Sequence, residues 1–321
     1  MNLFDMPLEE LRTYKPELTK ADDFNDFWEE TLNEAELQPL NVEVKPVEYP
    51  VEQVQVFNVF FDGYQNSRIR GRYILPEIAD KDNKVPAVVS FHGYNWNNNV
   101  ISQVLKYSLM GYAVLLMDVR GQSKYSPDHT QYENGGASGW MTNGILNPYN
   151  YYYRYVYMDG IRAVDFLMSR KEIKKDKIAV EGGSQGGGLA LALGALSNKV
   201  KVVLSDVPYL CHFKRAIELY ENSPYSEIYH YFKIQDSLHQ TEDQVYKTLS
   251  YFDGMNLAAR VKADVLMSVG LEDTICPPST IFAAYNHLDT EKELRIYPEY
   301  GHGGFSQQEE EKIKFLKERF G

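Results

Sequence analysis

The chain has 321 residues, of which 33 are Lys or Arg and 45 are Asp or Glu, so its formal net charge is −12. A hydrophobic fraction of 44% is ample for a large core and excludes a disordered chain. The acidic balance argues against nucleic acid or an anionic membrane as a partner. Because Cys211 and Cys276 form no CxxC pair and no signal-peptide or membrane-helix pattern occurs, we expect a cytoplasmic protein.

Residues 1–80 are predicted to be an N-terminal extension that contains one helix and two strands. Aromatic and apolar residues recur at helical spacing over residues 19–35, with Thr19 as the expected N-cap. Residues 54–61 and 68–75 alternate between apolar and polar, as strands do, on either side of an Asp-Gly turn signal.

From residue 85 onward, short apolar segments alternate with segments of helical pattern. This alternation is typical of a parallel sheet that is buried on both faces. Residues 209–260 interrupt it with Tyr-rich helical sequence, which we predict to lie as an insertion over the carboxyl edge of the sheet. We therefore predict one α/β domain over residues 1–321, with a mostly parallel central sheet and helices on both faces. Its predicted strands are PAVVSFHG, YAVLLMDVRG, KIAVEGGS, VKVVLSDVP and ADVLMSVG, and its predicted helices are 100–110, 153–169 and 185–197.

The strongest chemical signal is the motif GGSQG at residues 182–186, which matches G-x-S-x-G. It follows the strand KIAVE and precedes the helical segment LALALGAL, which is the strand–turn–helix context that a nucleophilic serine requires. A plain glycine-rich helix start with Ser184 as the N-cap is the alternative. A phosphate site is disfavoured because no G-x-G-x-x-G register and no P-loop lysine are present. We predict that Ser184 is a nucleophile.

A nucleophilic serine needs an imidazole base and a carboxylate that orients it. In a protein with this strand–turn–helix motif the three residues follow one another along the chain as Ser, then Asp or Glu, then His. Only His287 and His302 lie beyond the last core strands, and His287 falls within a helical run. His302 lies in a loop after the strand ELRIYP, so we predict it as the base.

The carboxylate that orients the base is predicted to be Asp273, which comes directly after the strand VLMSVG. Glu272 is its nearest rival. Asp206 ends the strand that directly follows the nucleophile helix, and Asp264 opens its strand at the wrong edge.

Backbone N–H groups must also stabilise the oxyanion of an acyl-transfer intermediate. One is expected from Gln185, directly after the nucleophile, and one from the loop at residues 91–94, which ends an early strand. His92 in that loop could instead be a base, but its upstream position favours a structural role.

At this point the chain resembles the cephalosporin-C deacetylase and acetyl xylan esterase family, carbohydrate esterase family 7, over nearly its whole length. The matching segments include FHGYN, RGQ, GWMTNGI, GGSQGGG and CPPSTIFAAYNHL in this order. The resemblance implies an α/β-hydrolase fold. It also implies a Ser184, Asp273 and His302 triad, oxyanion donors at the N–H groups of Tyr94 and Gln185, and structural support from Arg120 and Gln122. The chain departs from the family at Gly303, where a glutamate usually follows the catalytic histidine, which puts efficiency in question but not the reaction class.

The family implies a serine esterase without cofactor or metal that deacetylates small substrates. The substrates that the family implies are acetylated xylo-oligosaccharides and cephalosporin C. The resemblance also implies a ring-shaped homohexamer whose active sites face an inner chamber. Trp140, Tyr209 and Phe213 could wall an acetyl pocket or stack on a sugar. Six tyrosines are clustered between residues 149 and 157, and we expect core or subunit contacts from them rather than a ligand site.

Two alternatives remain open at this stage. A peptidase of the prolyl-oligopeptidase kind shares the expected fold, although only about 80 residues precede the core here, too few for a propeller. A non-catalytic α/β-hydrolase scaffold is suggested only by Gly303, and a Ser, Asp and His in the correct order argue against it.

Overall fold

The computed structural model describes residues 4–96, 100–134, 139–219 and 223–321, with the backbone alone at Asn66. Within these residues no helix is long and apolar enough to cross a membrane. The strands are β1 (Glu43–Val47), β2 (Val54–Asp62), β3 (Arg68–Pro76), β4 (Val85–Phe91), β5 (Ala113–Met117), β6 (Ile173–Gly183), β7 (Val202–Asp206), β8 (Asp264–Gly270) and β9 (Lys292–Tyr297).

The described strands form one sheet in the order β1-β2-β3-β5-β4-β6-β7-β8-β9. The six strands from β5 to β9 along this order are parallel, whereas β1, β2 and β3 add on antiparallel at one side. All residues of β4, β5 and β7 are buried, as expected for parallel strands covered on both faces. The predicted α/β-hydrolase architecture is therefore confirmed.

Helices cover both faces of the sheet and the edge at which the parallel strands end. α5 is buried along its whole length and packs against β6 and β7. The helices are α1 (Leu8–Leu11), α2 (Phe24–Glu36), α3 (Leu105–Leu109), α4 (Tyr152–Ser169), α5 (Gln185–Leu196), α6 (Phe213–Leu219), α7 (Ser226–Ile234), α8 (Glu242–Phe252), α9 (Gly254–Ala258), α10 (Pro278–His287) and α11 (Ser306–Phe320).

Three details differ from the sequence predictions. Thr19 does not cap α2, which begins five residues later; instead its N–H and hydroxyl both bind the Asn256 side-chain amide at 3.0 Å. The helix predicted over 100–110 is broken into a single 3₁₀ turn and the short α3. β1 was not predicted, because Pro46 interrupts its pattern, and it pairs with β2 alone, as a proline-containing edge strand can.

Candidate active site

Ser184 lies on a tight turn between β6 and α5 at the carboxyl edge of the sheet. Its backbone has φ 56° and ψ −120°, a conformation that costs strain for any residue with a Cβ. The turn is compact because a Cβ on Gly182 would lie 2.5 Å from the carbonyl carbon of Gly186. The carbonyl oxygen of Ser184 accepts from the N–H groups of Gly188 and Tyr209 at 3.0 and 2.9 Å. The strained turn leaves the side chain half-buried at the head of α5.

Asp273 and His302 meet beside this turn, at the ends of the neighbouring strands β8 and β9. His302 Nδ1 lies 2.8 Å from Asp273 Oδ2, the geometry of an imidazole that donates to a carboxylate. The second oxygen, Oδ1, accepts from the N–H groups of Ile275 and Cys276 at 2.8 and 2.9 Å. Asp273 is fully buried while the His302 side chain is 26% exposed, so the pair can orient one ring nitrogen toward the open side of the site.

Cys276 is a member of this cluster that the sequence reasoning missed. Its thiol lies beside the Ser184 side chain, and its sulfur lies within 4.8 Å of the Asp273 oxygen and the His302 nitrogen. Burial raises the pKa of the Cys276 thiol well above its usual value, so the sulfur is a neutral thiol. These three donors are types that zinc accepts, but the carboxylate and the imidazole already bind each other.

The loop after β4 lies against the nucleophile turn. A Cβ on Gly93 would come 4.0 Å from the Ser184 Cβ, and Tyr94 follows directly. Gln185 opens α5, where N–H groups have no acceptor within the helix. Gln122 joins the two loops: its carbonyl oxygen accepts from the Asn95 N–H at 2.9 Å, and its amide pairs with the Gln185 amide at 2.8 and 3.1 Å.

Arg120 is connected to Gln122 through the Tyr152 hydroxyl, which bonds both residues. It is fully buried, and its guanidinium donates to both oxygens of Asp159 at 2.6 Å and to the Tyr64 carbonyl oxygen at 2.7 Å. Tyr152 donates its hydroxyl to the Arg120 carbonyl oxygen, and Tyr153 donates to the Gln185 side-chain oxygen at 3.0 Å. In the tyrosine cluster, these two residues with Tyr151, Tyr155 and Tyr157 are core residues, whereas Tyr149 is 42% exposed.

Of the three predicted pocket residues, two lie near the Tyr94 ring and the third lies near the Tyr225 ring. Trp140 and Tyr209 both flank the Tyr94 ring, with ring centroids 5.3 and 6.1 Å from it. Phe213 lies one layer further out, against Tyr225, whose ring is 4.2 Å from that of Tyr209.

Glu227, on the insertion helix α7, is a second residue that the sequence reasoning missed. It accepts from the Tyr94 hydroxyl at 2.7 Å and from the Met141 N–H at 2.9 Å, and the Tyr94 oxygen in turn accepts from the Trp140 N–H at 2.7 Å. Burial raises the pKa of the Glu227 carboxyl. The insertion therefore reaches over the carboxyl edge of the sheet, as its position in the sequence predicted.

The rival sequence candidates lie in other environments. His92 Nε2 accepts from the Val119 N–H at 3.0 Å while Nδ1 lies 2.8 Å from the Gly93 carbonyl oxygen, so both ring nitrogens are occupied. His287 Nδ1 lies 2.8 Å from the carbonyl oxygen of Ala283 within its own helix. Glu272 is exposed.

The position that departs from the expected family pattern has its own backbone constraint. Gly303 has φ +95° and its neighbour Gly304 has φ +84°, and a Cβ on either would have open space around it. A glutamate at position 303 would therefore be disfavoured by the backbone and not by crowding.

A mostly parallel sheet with a serine on a strained strand–helix turn and a His–Asp pair on the following loops defines a hydrolase of the α/β class. Such a site can carry out acyl transfer through a serine. The chain belongs to the acetyl xylan esterase family, whose family model matches residues 1–319. It is a carboxylic-ester hydrolase of the serine type that acts on acetyl esters.

Individual relatives agree with this membership. The solved acetyl xylan esterase from Paenibacillus sp. R4 is 46% identical, with a TM-score of 0.96 over 98% of this chain and 100% of that one. Acetyl xylan esterase 1 from Thermoanaerobacterium sp. JW/SL YS485 is 36% identical, with a TM-score of 0.94 over 99% and 100%. Acetyl esterase Axe7A of Xylanibacter ruminicola is 26% identical over 95% of this chain and 69% of its own length.

Peptidases of the same class are also similar in fold. The acylaminoacyl peptidase of Pyrococcus horikoshii is 17% identical, with a TM-score of 0.60 over 84% of this chain and 42% of that chain. At this identity the similarity concerns the fold alone.

Proposed function

We propose that Ser184, His302 and Asp273 form the catalytic triad of an esterase that removes acetyl groups from small acetylated sugars. The 2.8 Å contact between His302 Nδ1 and Asp273 Oδ2, beside a serine on a strained turn, carries this proposal. Asp273 holds the ring with Nδ1 protonated, which leaves Nε2 as the base. The preferred substrates are acetylated xylo-oligosaccharides and the 3′-acetoxy group of cephalosporin C.

The reaction has two halves. In the first, His302 Nε2 takes the Ser184 hydroxyl proton as the serine oxygen attacks the acetyl carbonyl carbon. The N–H groups of Tyr94 and Gln185 stabilise the negative oxygen that forms, and each such donor is typically worth about 10²–10³ in kcat. The ester C–O bond then breaks, and the departing sugar oxygen takes the proton from His302. The acetyl group stays on Ser184.

In the second half, His302 removes a proton from water, which attacks the acetyl-serine carbonyl carbon. Collapse of the second intermediate breaks the bond to the serine oxygen, which regains its proton from His302, and releases acetate. The reaction uses one water and needs no cofactor.

The acetyl side of the site is assigned to Trp140 and Tyr209. Their contacts with Tyr94 support this assignment, since Tyr94 also supplies the proposed oxyanion donor. Phe213 belongs to the same wall through Tyr225.

Replacement of the nucleophile tests the proposal. Ser184→Ala is expected to reduce kcat on p-nitrophenyl acetate by on the order of 10⁶-fold, and Asp273→Asn by about 10⁴-fold. His287→Ala is the matched control for His302→Ala. Loss of turnover in His287→Ala but not in His302→Ala, or mass-spectrometric mapping of the acetyl group to a residue other than Ser184, would refute the assignment.

We further infer a cytoplasmic homohexamer whose active sites face an inner chamber. The family resemblance supports this assembly, which would admit oligosaccharides and exclude polymeric xylan. Light scattering of the purified protein tests the hexamer, and subcellular fractionation tests the location. Equal rates on acetylated xylan and acetylated xylobiose would contradict the chamber.

A further inference from the structure

The members of the proposed triad lie on three different loops, which the fold must hold at a fixed distance. Ser184 lies on the turn after β6, whereas Asp273 and His302 lie in the loops after β8 and β9. The loop of His302, residues 298–305, has the sequence GHGG around the histidine. Because glycine restricts the backbone least of all residues, these positions do little to fix the loop themselves. Contacts at the ends of the loop therefore decide where His302 lies.

Three aromatic rings close the ends of the His302 loop. Tyr297 is the last residue of β9, and Phe305 directly precedes α11. Their rings stack almost parallel, with centroids 4.3 Å apart and an angle of 2° between the planes. Tyr300 packs edge-on against both rings, at 5.9 and 5.4 Å. The position of the Tyr297 ring is thus coupled to that of the whole loop.

Two backbone hydrogen bonds join the His302 loop to the loop after β8. The Leu271 N–H donates to the Tyr297 carbonyl oxygen at 3.1 Å, and the Glu272 N–H donates to the Tyr300 carbonyl oxygen at 3.0 Å. These bonds keep the proposed base beside its carboxylate. Neither of the two loops carries the nucleophile, so a further connection must hold the pair relative to the serine.

Gln308, in the first turn of α11, supplies such a connection. Its side-chain oxygen accepts from the Tyr297 hydroxyl at 3.0 Å, and its NH₂ group donates to Asp206 Oδ1 at 2.7 Å. Gln308 is 2% exposed, so its amide has little access to water. These two bonds, from Tyr297 to Gln308 and from Gln308 to Asp206, form an amide bridge between the end of β9 and the end of β7.

Asp206 in turn holds the nucleophile turn through its backbone. Its carbonyl oxygen accepts from the Ser184 N–H at 2.9 Å, and it pairs with Gly183 in the register of β6 and β7. Its carboxylate is fixed on two further sides, by the Ser268 hydroxyl at 3.0 Å and by the Lys312 ammonium at 2.5 Å. The amide bridge therefore ends on a residue that is itself held in place and that contacts the nucleophile directly.

We propose that Gln308 is a positioning residue for the reaction, because its amide bridge sets the distance between His302 and Ser184. This inference rests on the proposed function, since it concerns transfer of the Ser184 proton to His302. Gln308 acts through Tyr297 on one side and through Asp206 on the other. A misplacement of reacting groups by about 1 Å can cost on the order of 10²-fold in rate. Loss of the bridge should therefore lower kcat and leave KM nearly unchanged.

The test removes the bridge in two ways. Gln308→Met keeps the approximate size of the side chain and removes both bonds, whereas Tyr297→Phe removes one bond and keeps the stacked ring. On p-nitrophenyl acetate, kcat per folded molecule should fall about ten-fold in Gln308→Met and about three-fold in Tyr297→Phe, with KM within about two-fold of the wild type. Urea unfolding of the same samples gives the folded fraction. The double variant should have the kcat of Gln308→Met, because both changes act through one amide.

Gln307→Met is the matched control, because Gln307 is the neighbouring residue on α11 and is exposed. It should keep the wild-type kcat. The pH profile of kcat/KM provides a readout that a loss of stability alone would not produce. Its acid limb should keep the wild-type midpoint in Gln308→Met while kcat falls, because the contact between His302 and Asp273 is retained.

Tyr297→Phe keeps the test decisive if Gln308→Met does not fold, because the aromatic stack survives in it. A wild-type kcat in Tyr297→Phe would overturn the positioning role. So would additive losses in the double variant, or a displaced acid limb, which would assign the effect to the pair of His302 and Asp273. The proposed function fails separately, if Ser184→Ala keeps the wild-type turnover of p-nitrophenyl acetate.

Discussion

Replacement of Glu227 by glutamine tests whether the insertion positions the proposed oxyanion loop. In the wild type, the two carboxylate oxygens accept from the Tyr94 hydroxyl at 2.7 Å and from the Met141 N–H at 2.9 Å. A glutamine amide has one oxygen, so one of these donors must lose its acceptor. The NH₂ group that replaces the second oxygen also faces a donor.

The magnitude follows from two opposing effects on stability. Leaving one buried donor without an acceptor costs about 1–3 kcal/mol. Removing a carboxylate whose pKa is raised by burial offsets part of that cost. We therefore expect a decrease in unfolding free energy of no more than about 2 kcal/mol in Glu227→Gln. Turnover should also fall. Full loss of one oxyanion donor lowers kcat by about 10²–10³-fold, so we expect the smaller displacement of Tyr94 to lower kcat about ten-fold.

The assay is steady-state turnover of p-nitrophenyl acetate at pH 8, with urea unfolding of the same samples. Glu218→Gln, at a 54% exposed carboxylate on the neighbouring helix α6, is the matched control and should behave as the wild type. If Glu227→Gln keeps the wild-type kcat while its stability falls, the carboxylate is structural and does not position the oxyanion loop.

The pH dependence of stability gives a second test. Because the folded-state pKa of Glu227 is raised above its unfolded value, this group contributes stability at low pH that is lost as pH rises through the folded pKa. Glutamine does not titrate. The unfolding free energy of Glu227→Gln minus that of the wild type should therefore increase as pH rises through the folded pKa of Glu227, and a difference independent of pH would contradict the burial argument.

Three further predictions concern the buried charges and the acetyl side. Lys312→Met should cost about 3–5 kcal/mol in urea unfolding, because it leaves the buried carboxylates of Asp206 and Glu181 without their cation. Burial lowers the pKa of His212 to about 4, so the wild type should lose up to about 3 kcal/mol as pH falls from 6.5 to 4, and His212→Gln should not show this loss. On p-nitrophenyl esters, kcat/KM should fall about 5- to 150-fold from acetyl to butyryl, since enlarging a wall of packed aromatic side chains costs roughly 1–3 kcal/mol; equal rates on acetate and octanoate would contradict a closed pocket.

Local patterns in the sequence were sufficient for most of the fold. Apolar runs that end in glycine or polar residues predicted β4 to β8, because strands buried on both faces carry little else. The motif around Ser184 was equally clear, since close backbone approaches at the turn tolerate only small residues there. β1 escaped prediction because Pro46 and its exposed residues give an edge strand no apolar pattern.

The site residues that the sequence did not predict lie far along the chain from the residues that they meet in the fold. Glu227 binds Tyr94 across 133 residues, and it lies in a helix whose own pattern shows only an amphipathic segment. Cys276 shares a loop with Asp273, yet its contact with Ser184 depends on how β8 lies relative to β6. Neither residue has a local signature, because the docking of distant elements creates its environment.

The order of the strands explains why Asp273, and not Asp206, is the aspartate that contacts His302. Asp206 ends β7, closer to the nucleophile strand than β8, yet its oxygens accept from Ser268, Gln308 and Lys312 at 3.0, 2.7 and 2.5 Å. These contacts occupy the carboxylate on the side of the sheet that α11 covers. Asp273 instead lies in the loop that follows β8, which is adjacent to β9, so the loop after β9 brings His302 within 2.8 Å of the Asp273 Oδ2 atom. An acid two strands beyond the nucleophile is therefore available to orient a histidine, while the nearer acid is committed to a buried lysine.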